Sequence, residues 1–345
     1  MRKISTIIWA SNLSAKTGEG ILARKFLEFF LEINKISNCK IKTYEQEFIL
    51  TNKKNFPKII ERNNFTHKYF GPLYGVLYLL LNRKKNIIFA NYLPLWNFLI
   101  FLFLPSNTIL GPITGGVYNG KSKSINFFIR KHIFPILYRI SVFIIYYKFK
   151  KVIFSNSILK SYVPKKFFNK TLFNFVLVNF HTMKTYDKYN KKKKDYDFIF
   201  YNNNHETKYD KDRLEIINKL SIKYKICVVG DFYDNINVVN LGYVQRKIVY
   251  KLLSQSKIAI NSSENFYSLF AIDSVNCGAK LLYDINSSKY YKNISNYYFP
   301  FKLNLVSNNK FYLQKIFNKK IIDSDFIKKI VLFKTKTVPN FILIS

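Results

Sequence analysis

NSSENFYSLFAIDSVNCG, residues Asn261 to Gly278, joins a turn, a carboxylate, an apolar helix and a closing glycine in one run. The apolar run Lys257 to Ile260 before it has the length and composition of a strand. Asn261 to Ser263 carry turn and cap chemistry, and Leu269 to Val275 form a helix that Gly278 ends. That order decides the fold class, because a strand followed at once by a helix is the unit of an α/β sheet. In a parallel sheet the junction lies at the carboxyl edge, where ligands settle and a helix N-terminus offers N–H groups to a phosphate. Glu264 and Asp273 bracket the helix start and body, and a carboxylate there can accept hydrogen bonds from ribose hydroxyls. The same residues taken alone also describe an ordinary connection with two solvated carboxylates.

The strand-and-helix cadence extends in both directions. Asp197–Tyr201, Tyr224–Val229, Ile236–Leu241, Lys257–Ile260 and Leu281–Asp284 are short apolar runs separated by helical lengths, which predicts a doubly wound domain. Upstream, Ile4–Ala10 reads as a strand and Ile21–Ile33 as a helix with Leu22, Phe26, Phe29 and Phe30 as its apolar residues. Asn86–Ala90 and Thr108–Leu110 read as further strands. Their loops, Gly18-Glu19-Gly20 and Gly111 to Gly116 with Thr114 and Gly115, would reach the same sheet edge if the strands are parallel. A plain tight turn fits Gly18 and Gly20 equally well. Lys151–Phe154 followed by Ser155, Asn156 and Ser157 closes the first domain. The expected division is residues 1–183, a Lys-, Tyr- and Asn-rich basic linker over 184–195, a second domain over 196–320, and a segment 321–345 that packs back on the first.

On these residues the chain resembles the GT-B glycosyltransferases, and among them the retaining family 4. Glu264, Phe266, Leu269, Asp273 and Gly278 echo that family's acidic signature, with Asp273 in place of a second Glu and nine residues after Glu264 instead of about eight. The loop Asn202 to Lys208 matches the place where the family sets an Arg and then a Lys on the donor diphosphate. Lys208 stands at the Lys and Asn203 at the Arg. Val229-Gly230-Asp231 and Leu241-Gly242-Tyr243-Val244 resemble the loops that flank the nucleotide. Many family members carry a sugar-contacting histidine in a mid-domain loop; His67, His132, His181 and His205 all lie outside the two glycine loops.

The resemblance implies an α/β GT-B architecture, two Rossmann-like doubly wound domains facing each other across a cleft. It implies transfer of a sugar from a nucleotide-diphosphate donor to a glycan or lipid-linked acceptor, with retention, in surface polysaccharide synthesis such as that of lipopolysaccharide. Glu264 and Lys208 would be catalytic. Asp273, Lys208, His205, Asn203, Gly230, Gly242, Phe266, Ser268 and Leu269 would hold the donor, and Gly18, Glu19, Gly20, Thr114, Gly115 and Gly116 would line the acceptor side. A lysine and a helix dipole can neutralise a leaving diphosphate, so no cofactor or metal is expected beyond the donor itself. A solvated lysine remains the bland reading of Lys208.

Composition bounds the rest. A chain of 345 residues accommodates two domains. With 56 Lys and Arg against 20 Asp and Glu, its net charge of +36 points to anionic partners, although AT-rich coding sequence also yields Lys, Asn, Ile, Phe and Tyr. Cys39, Cys227 and Cys277 are far apart, which fits a reducing cytoplasm and suggests neither a disulfide framework nor a thiolate metal site. The N-terminus reads as a first strand, its apolar core too short for a secretory signal. Leu93–Leu104 and Ile133–Tyr147 are too short to span a bilayer, but their aromatic and basic flanks suit a headgroup layer and the inner face of the cytoplasmic membrane. Two other readings remain: a GT-B-like protein that binds without catalysis, and a nucleic-acid-binding protein, for which no RNP motif, zinc finger or continuous basic helix is present.

Overall fold

The computed structural model describes residues 6–14, 17–36, 38–44, 46–50, 65–91, 93–116, 125–180, 193–203, 211–262, 266–289, 291, 295–301, 310–319, 321 and 323–343. The chain divides into two units, each built on its own sheet. The first comprises Met1–Val117, Phe128–Val176 and Phe333–Ser345, and the second Tyr118–Phe127 and Leu177–Leu332.

The first unit begins with β1 (Thr6–Ala10), α1 (Gly18–Ile33), β2 (Cys39–Lys42), β3 (Glu47–Leu50), α2 (Phe65–Leu81) and β4 (Asn86–Asn91). It continues through β5 (Leu93–Pro94), α3 (Phe98–Phe103), β6 (Ile109–Leu110) and β7 (Ile113–Thr114). After α4 (Ile125–Phe128), which belongs to the second unit up to Phe127, the chain runs along a π-helical turn and α5 (Phe134–Lys148) to β8 (Val152–Ile153) and β9 (Thr171–Leu172). Five strands form a sheet in the order β3-β2-β1-β4-β6, parallel except for the antiparallel edge strand β3. Every residue of β1 is buried, as an apolar run covered on both faces requires. α1 buries Leu22, Phe26 and Phe30 against this unit, and Thr17 caps it by accepting from the Gly20 N–H at 3.2 Å.

The second unit runs β10 (Tyr196–Asn202), α6 (Lys211–Ser221), β11 (Ile226–Gly230), β12 (Val238–Asn240), α7 (Arg246–Ser254) and β13 (Ser256–Ile260). It ends with α8 (Leu269–Asn276), β14 (Lys280–Asp284), β15 (Tyr298–Phe301), α9 (Lys310–Asn318) and α10 (Ser324–Leu332). All six strands are parallel, in the order β12-β11-β10-β13-β14-β15. Numbered along the chain this is 3-2-1-4-5-6, the doubly wound order whose direction reverses between β10 and β13.

The chain rejoins the first unit at Phe333 and not at residue 321. α10 stays with the second unit because Phe326 packs edge-on to Phe180, ring centroids 5.3 Å apart, and Asp323 accepts from the Asn296 N–H at 2.6 Å. The returning α11 (Val338–Ile342) lies on α1, where Asn34 Nδ2 donates to Ile342 O at 3.4 Å, and Lys151 Nζ donates to Leu343 O at 3.1 Å. Most of the expected linker falls outside the described residues. Its end is tied down, with Lys194 Nζ donating to Ser254 O at 2.8 Å. Among the described residues no helix is long and apolar enough to cross a membrane.

Candidate functional site

A doubly wound sheet offers a crevice outside the carboxyl ends of its strands, at the point where strand order reverses. In the second unit that point lies between Asn202, which ends β10, and Asn261, which follows β13. Both asparagines are buried and structural. Asn202 Nδ2 donates to the carbonyls of Asp231 at 3.2 Å and Phe232 at 3.1 Å, which holds the loop after β11. Asn261 Nδ2 donates to Phe266 O at 3.0 Å, and its Oδ1 accepts from Ser268 Oγ at 3.0 Å. Ser268 Oγ in turn accepts from the Ala271 N–H at 3.0 Å and caps α8. The first-turn N–H groups of Leu269 and Phe270 have no partner within the helix and face the start of α8.

Gly230 and Gly242 meet at the same edge, where the Gly230 N–H donates to Gly242 O at 2.9 Å. Gly230 has φ +101°, and a Cβ there would lie 2.2 Å from Asn202 O, so only glycine fits. Beside it the Tyr243 hydroxyl donates to Asp231 Oδ1 at 2.7 Å, a bond that, with burial, pushes the Tyr243 hydroxyl pKa up.

Two residues expected to face the donor are placed otherwise. Phe266 is 1% exposed and stacked on Tyr298 and Tyr291 at 4.7 and 4.8 Å, so its ring pins the loop from below instead of presenting a face to a ligand. Asp273 is 4% exposed and already engaged. Arg246 Nε donates to its Oδ2 at 3.0 Å and Nη2 to its Oδ1 at 2.8 Å, while the Tyr250 hydroxyl donates to Oδ1 at 3.2 Å. Burial pushes the Asp273 carboxyl up against the pull of these two partners. Burial alone would lower the Arg246 guanidinium, but the bonds and charge of Asp273 outweigh it and raise that group. A ribose contact at Asp273 therefore has to share a carboxylate with a bidentate guanidinium.

The sequence reading passed over Arg246 and Tyr250. Their separation of four residues, which puts both on one face of α7, was the available signal. It also passed over Arg213. This buried residue of α6 donates from Nη1 to Tyr201 O at 3.3 Å, bringing a guanidinium to the end of β10, beside Asn203. Asn203 itself is half-buried at the mouth of this loop. Glu264, Lys208 and His205 lie outside the described residues.

The first unit has its own reversal point, between β1 and β4. Ser11 Oγ donates to Asn91 O at 2.9 Å, the Asn12 N–H donates to Asn91 Oδ1 at 3.2 Å, and Asn91 Nδ2 donates back to Asn12 O. Asn12 Nδ2 then reaches Thr17 Oγ1 at 3.0 Å and so joins the cap of α1, which begins at Gly18. A Cβ on Gly20 would come within 2.2 Å of Ser14 O, so glycine lets the helix approach the turn. A small depression here is lined by Glu19, Asn91, Pro112 and Thr114. Gly115 sits against Leu159, and Gly116 is fixed by Tyr138, whose hydroxyl donates to Gly116 O at 3.0 Å. Among the described residues no three His, Cys, Asp or Glu side chains gather as a metal-binding set.

No protein-family model and no curated protein matches the sequence. Solved structures do match it along nearly its whole length. HepE from Anabaena in complex with UDP-glucose aligns with a TM-score of 0.56 at 10% identity, covering 98% of each chain. Sucrose-phosphate synthase from Thermosynechococcus elongatus aligns at 0.54 and 11% identity, covering 99% of this chain and 94% of that one. WaaG, a glycosyltransferase involved in lipopolysaccharide biosynthesis, aligns at 0.50 and 9% identity, covering 97% of each. The chain has the GT-B fold. At such identities the likeness speaks for the fold alone.

Proposed function

We propose that the chain is a glycosyltransferase that takes its sugar from a nucleoside-diphosphate donor and passes it to a glycan or lipid-linked acceptor in surface polysaccharide synthesis. The observation that carries this reading is the order-reversal point of the second sheet. Glycine loops, a capped helix N-terminus and buried asparagines there build an edge suited to a diphosphate. In the reaction the bond from the anomeric carbon to the diphosphate breaks, the acceptor oxygen takes its place, and the proton of the acceptor hydroxyl leaves on the diphosphate. The departing diphosphate gathers negative charge, which the α8 N-terminus and the Lys208 ammonium offset. Arg213 reinforces the positive field where Asn203 replaces the family's Arg. Glu264 contacts the donor sugar, while Asp273, held by Arg246 and Tyr250, ties α7 to α8 behind the donor edge. Retention at the anomeric carbon and independence of divalent metal belong to the same reading.

A screen of UDP-, GDP- and ADP-sugars that follows nucleoside diphosphate release tests it, with and without excess EDTA. Release from one donor class, undiminished by EDTA, is the expected result. The pre-engaged Asp273 favours a second reading, a GT-B protein that binds a nucleotide without turnover. Calorimetric binding of a diphosphate with no release from any donor would establish that alternative.

A further inference from the structure

The helices on one face of the first unit's sheet leave an apolar outer surface uncovered. α3 packs between α2 and α5, so the three form one layer. On α2, Phe70, Tyr74, Leu77 and Leu81 recur at helical spacing and are 55%, 42%, 61% and 87% exposed. On α5, Ile136, Ile140, Phe143 and Tyr147 repeat the pattern at 58%, 40%, 65% and 69%. Leu102 and Phe103 of α3, also exposed, continue the surface between them. A stripe at this spacing normally faces a core. Here the cores of α2 and α5 are supplied by other residues, Val76 and Leu79 on one and Tyr138, Val142 and Ile145 on the other, all buried. A contiguous apolar surface of this kind marks a docking site.

The charge around it identifies the occupant. Between Glu61 and Asp187 the chain has 18 Lys and Arg and no Asp or Glu, while all 20 carboxylates fall in the remaining 220 residues. A compositional excess of lysine spread along the whole chain does not account for carboxylates excluded from one stretch. The C-terminal ends of the three helices also lie together. Asn107 Nδ2 donates to Arg83 O at 3.0 Å, and Lys148 Nζ donates to Leu102 O at 2.5 Å. Arg83, Lys84 and Lys85 therefore join Lys148 and Lys150 along one edge of the apolar surface. A second copy docked through the same face would oppose like charges with no carboxylate of that stretch to pair them. A bilayer with anionic headgroups accepts both features, taking the apolar side chains at the acyl boundary and the cations at the phosphates.

We propose that the face formed by α2, α3 and α5 docks on an anionic lipid bilayer. The proposal does not rest on the nucleotide-sugar reading, since vesicle binding is measured with neither donor nor acceptor present. The test is co-sedimentation of the full chain with phosphatidylglycerol–phosphatidylcholine vesicles and with phosphatidylcholine alone, at low and high salt. The chain should bind the anionic vesicles at low salt and leave them at high salt. Lys84→Gln with Lys150→Gln should weaken binding roughly fivefold per lysine, and Leu77→Ser with Phe143→Ser should weaken it further. Lys223→Gln with Lys251→Gln, exposed lysines of the second unit, should leave it unchanged; all variants should keep the wild-type circular dichroism spectrum. Equal loss from the control pair would reduce the effect to diffuse charge and overturn the proposal. So would absence of vesicle binding, indifference to the apolar pair, or a dimer in light scattering that Leu77→Ser with Phe143→Ser dissociates.

Discussion

The two order-reversal points solve one structural problem with different chemistry. In the first unit Ser11, Asn12, Asn91 and Thr17 join strand ends and helix cap through neutral groups. The second unit uses Asn202, Asn261 and Ser268 in the same way, and adds an ion pair from α7 to α8 in which the half-buried Arg246 holds the buried carboxylate of Asp273. Neutral asparagine bonds tie a loop at modest energetic cost per group, whereas a buried pair depends on both partners being present. The second edge is thus the more rigidly specified of the two, and the more sensitive to a single substitution.

Arg246→Ala should expose that difference most strongly. It leaves a buried carboxylate unpaired and should cost about 3–5 kcal/mol of stability in urea unfolding, with much of the loss recovered in Arg246→Ala/Asp273→Ala. Asn91→Ala in the first unit removes neutral bonds only and should cost about 1–3 kcal/mol. Equal losses at the two sites would erase the distinction.

Glycine substitutions sharpen it within the second edge. Gly230→Ala combines φ +101° with a Cβ placed 2.2 Å from Asn202 O, and should cost more than the roughly 1–3 kcal/mol of an unfavourable backbone alone. Gly242 has φ +66° and open space around it, so Gly242→Ala should cost only about 1–2 kcal/mol. Thermal unfolding of the two variants ranks them, and the reverse order would refute the packing argument.

The fold was legible because its signals are local. The runs at Asp197–Tyr201, Lys257–Ile260 and Leu281–Asp284 are read residue by residue, and the strands lie where those signals fall; the helix cap, expected within Asn261 to Ser263, is instead made by Ser268. Phe266 and Asp273 were harder. Their types suit a ligand, but their surroundings come from Tyr291, Tyr298 and Arg246, which reach them only through the folded sheet. The apolar stripes of α2 and α5 show the converse. Helical spacing announces an apolar face and cannot say whether a core or solvent meets it.

A smaller effect concerns pH. Burial, with the charges of Lys194 and Lys319 beside it, lowers the Lys280 ammonium to about 8 from its ordinary 10.5. The folded state then binds fewer protons than the unfolded chain between those values, so this residue makes stability rise with pH across that window. The Tm of the wild type relative to Lys280→Met should increase from pH 8 to 10.5. A flat difference would show that the carbonyls of Ile316 and Phe317, which accept from this ammonium, hold it charged.

Hydrogen–deuterium exchange on the full chain, with and without the nucleoside diphosphate that the donor screen selects, tests the central claim that the donor sits at the order-reversal point of the second sheet. Protection should appear at Tyr201 to Asn203, at Asn261 and Ser262, and in the first turn of α8 from Leu269 to Ile272. Protection confined to Ser11–Ser14 and Asn91 in the first unit, or none with any diphosphate, would contradict it.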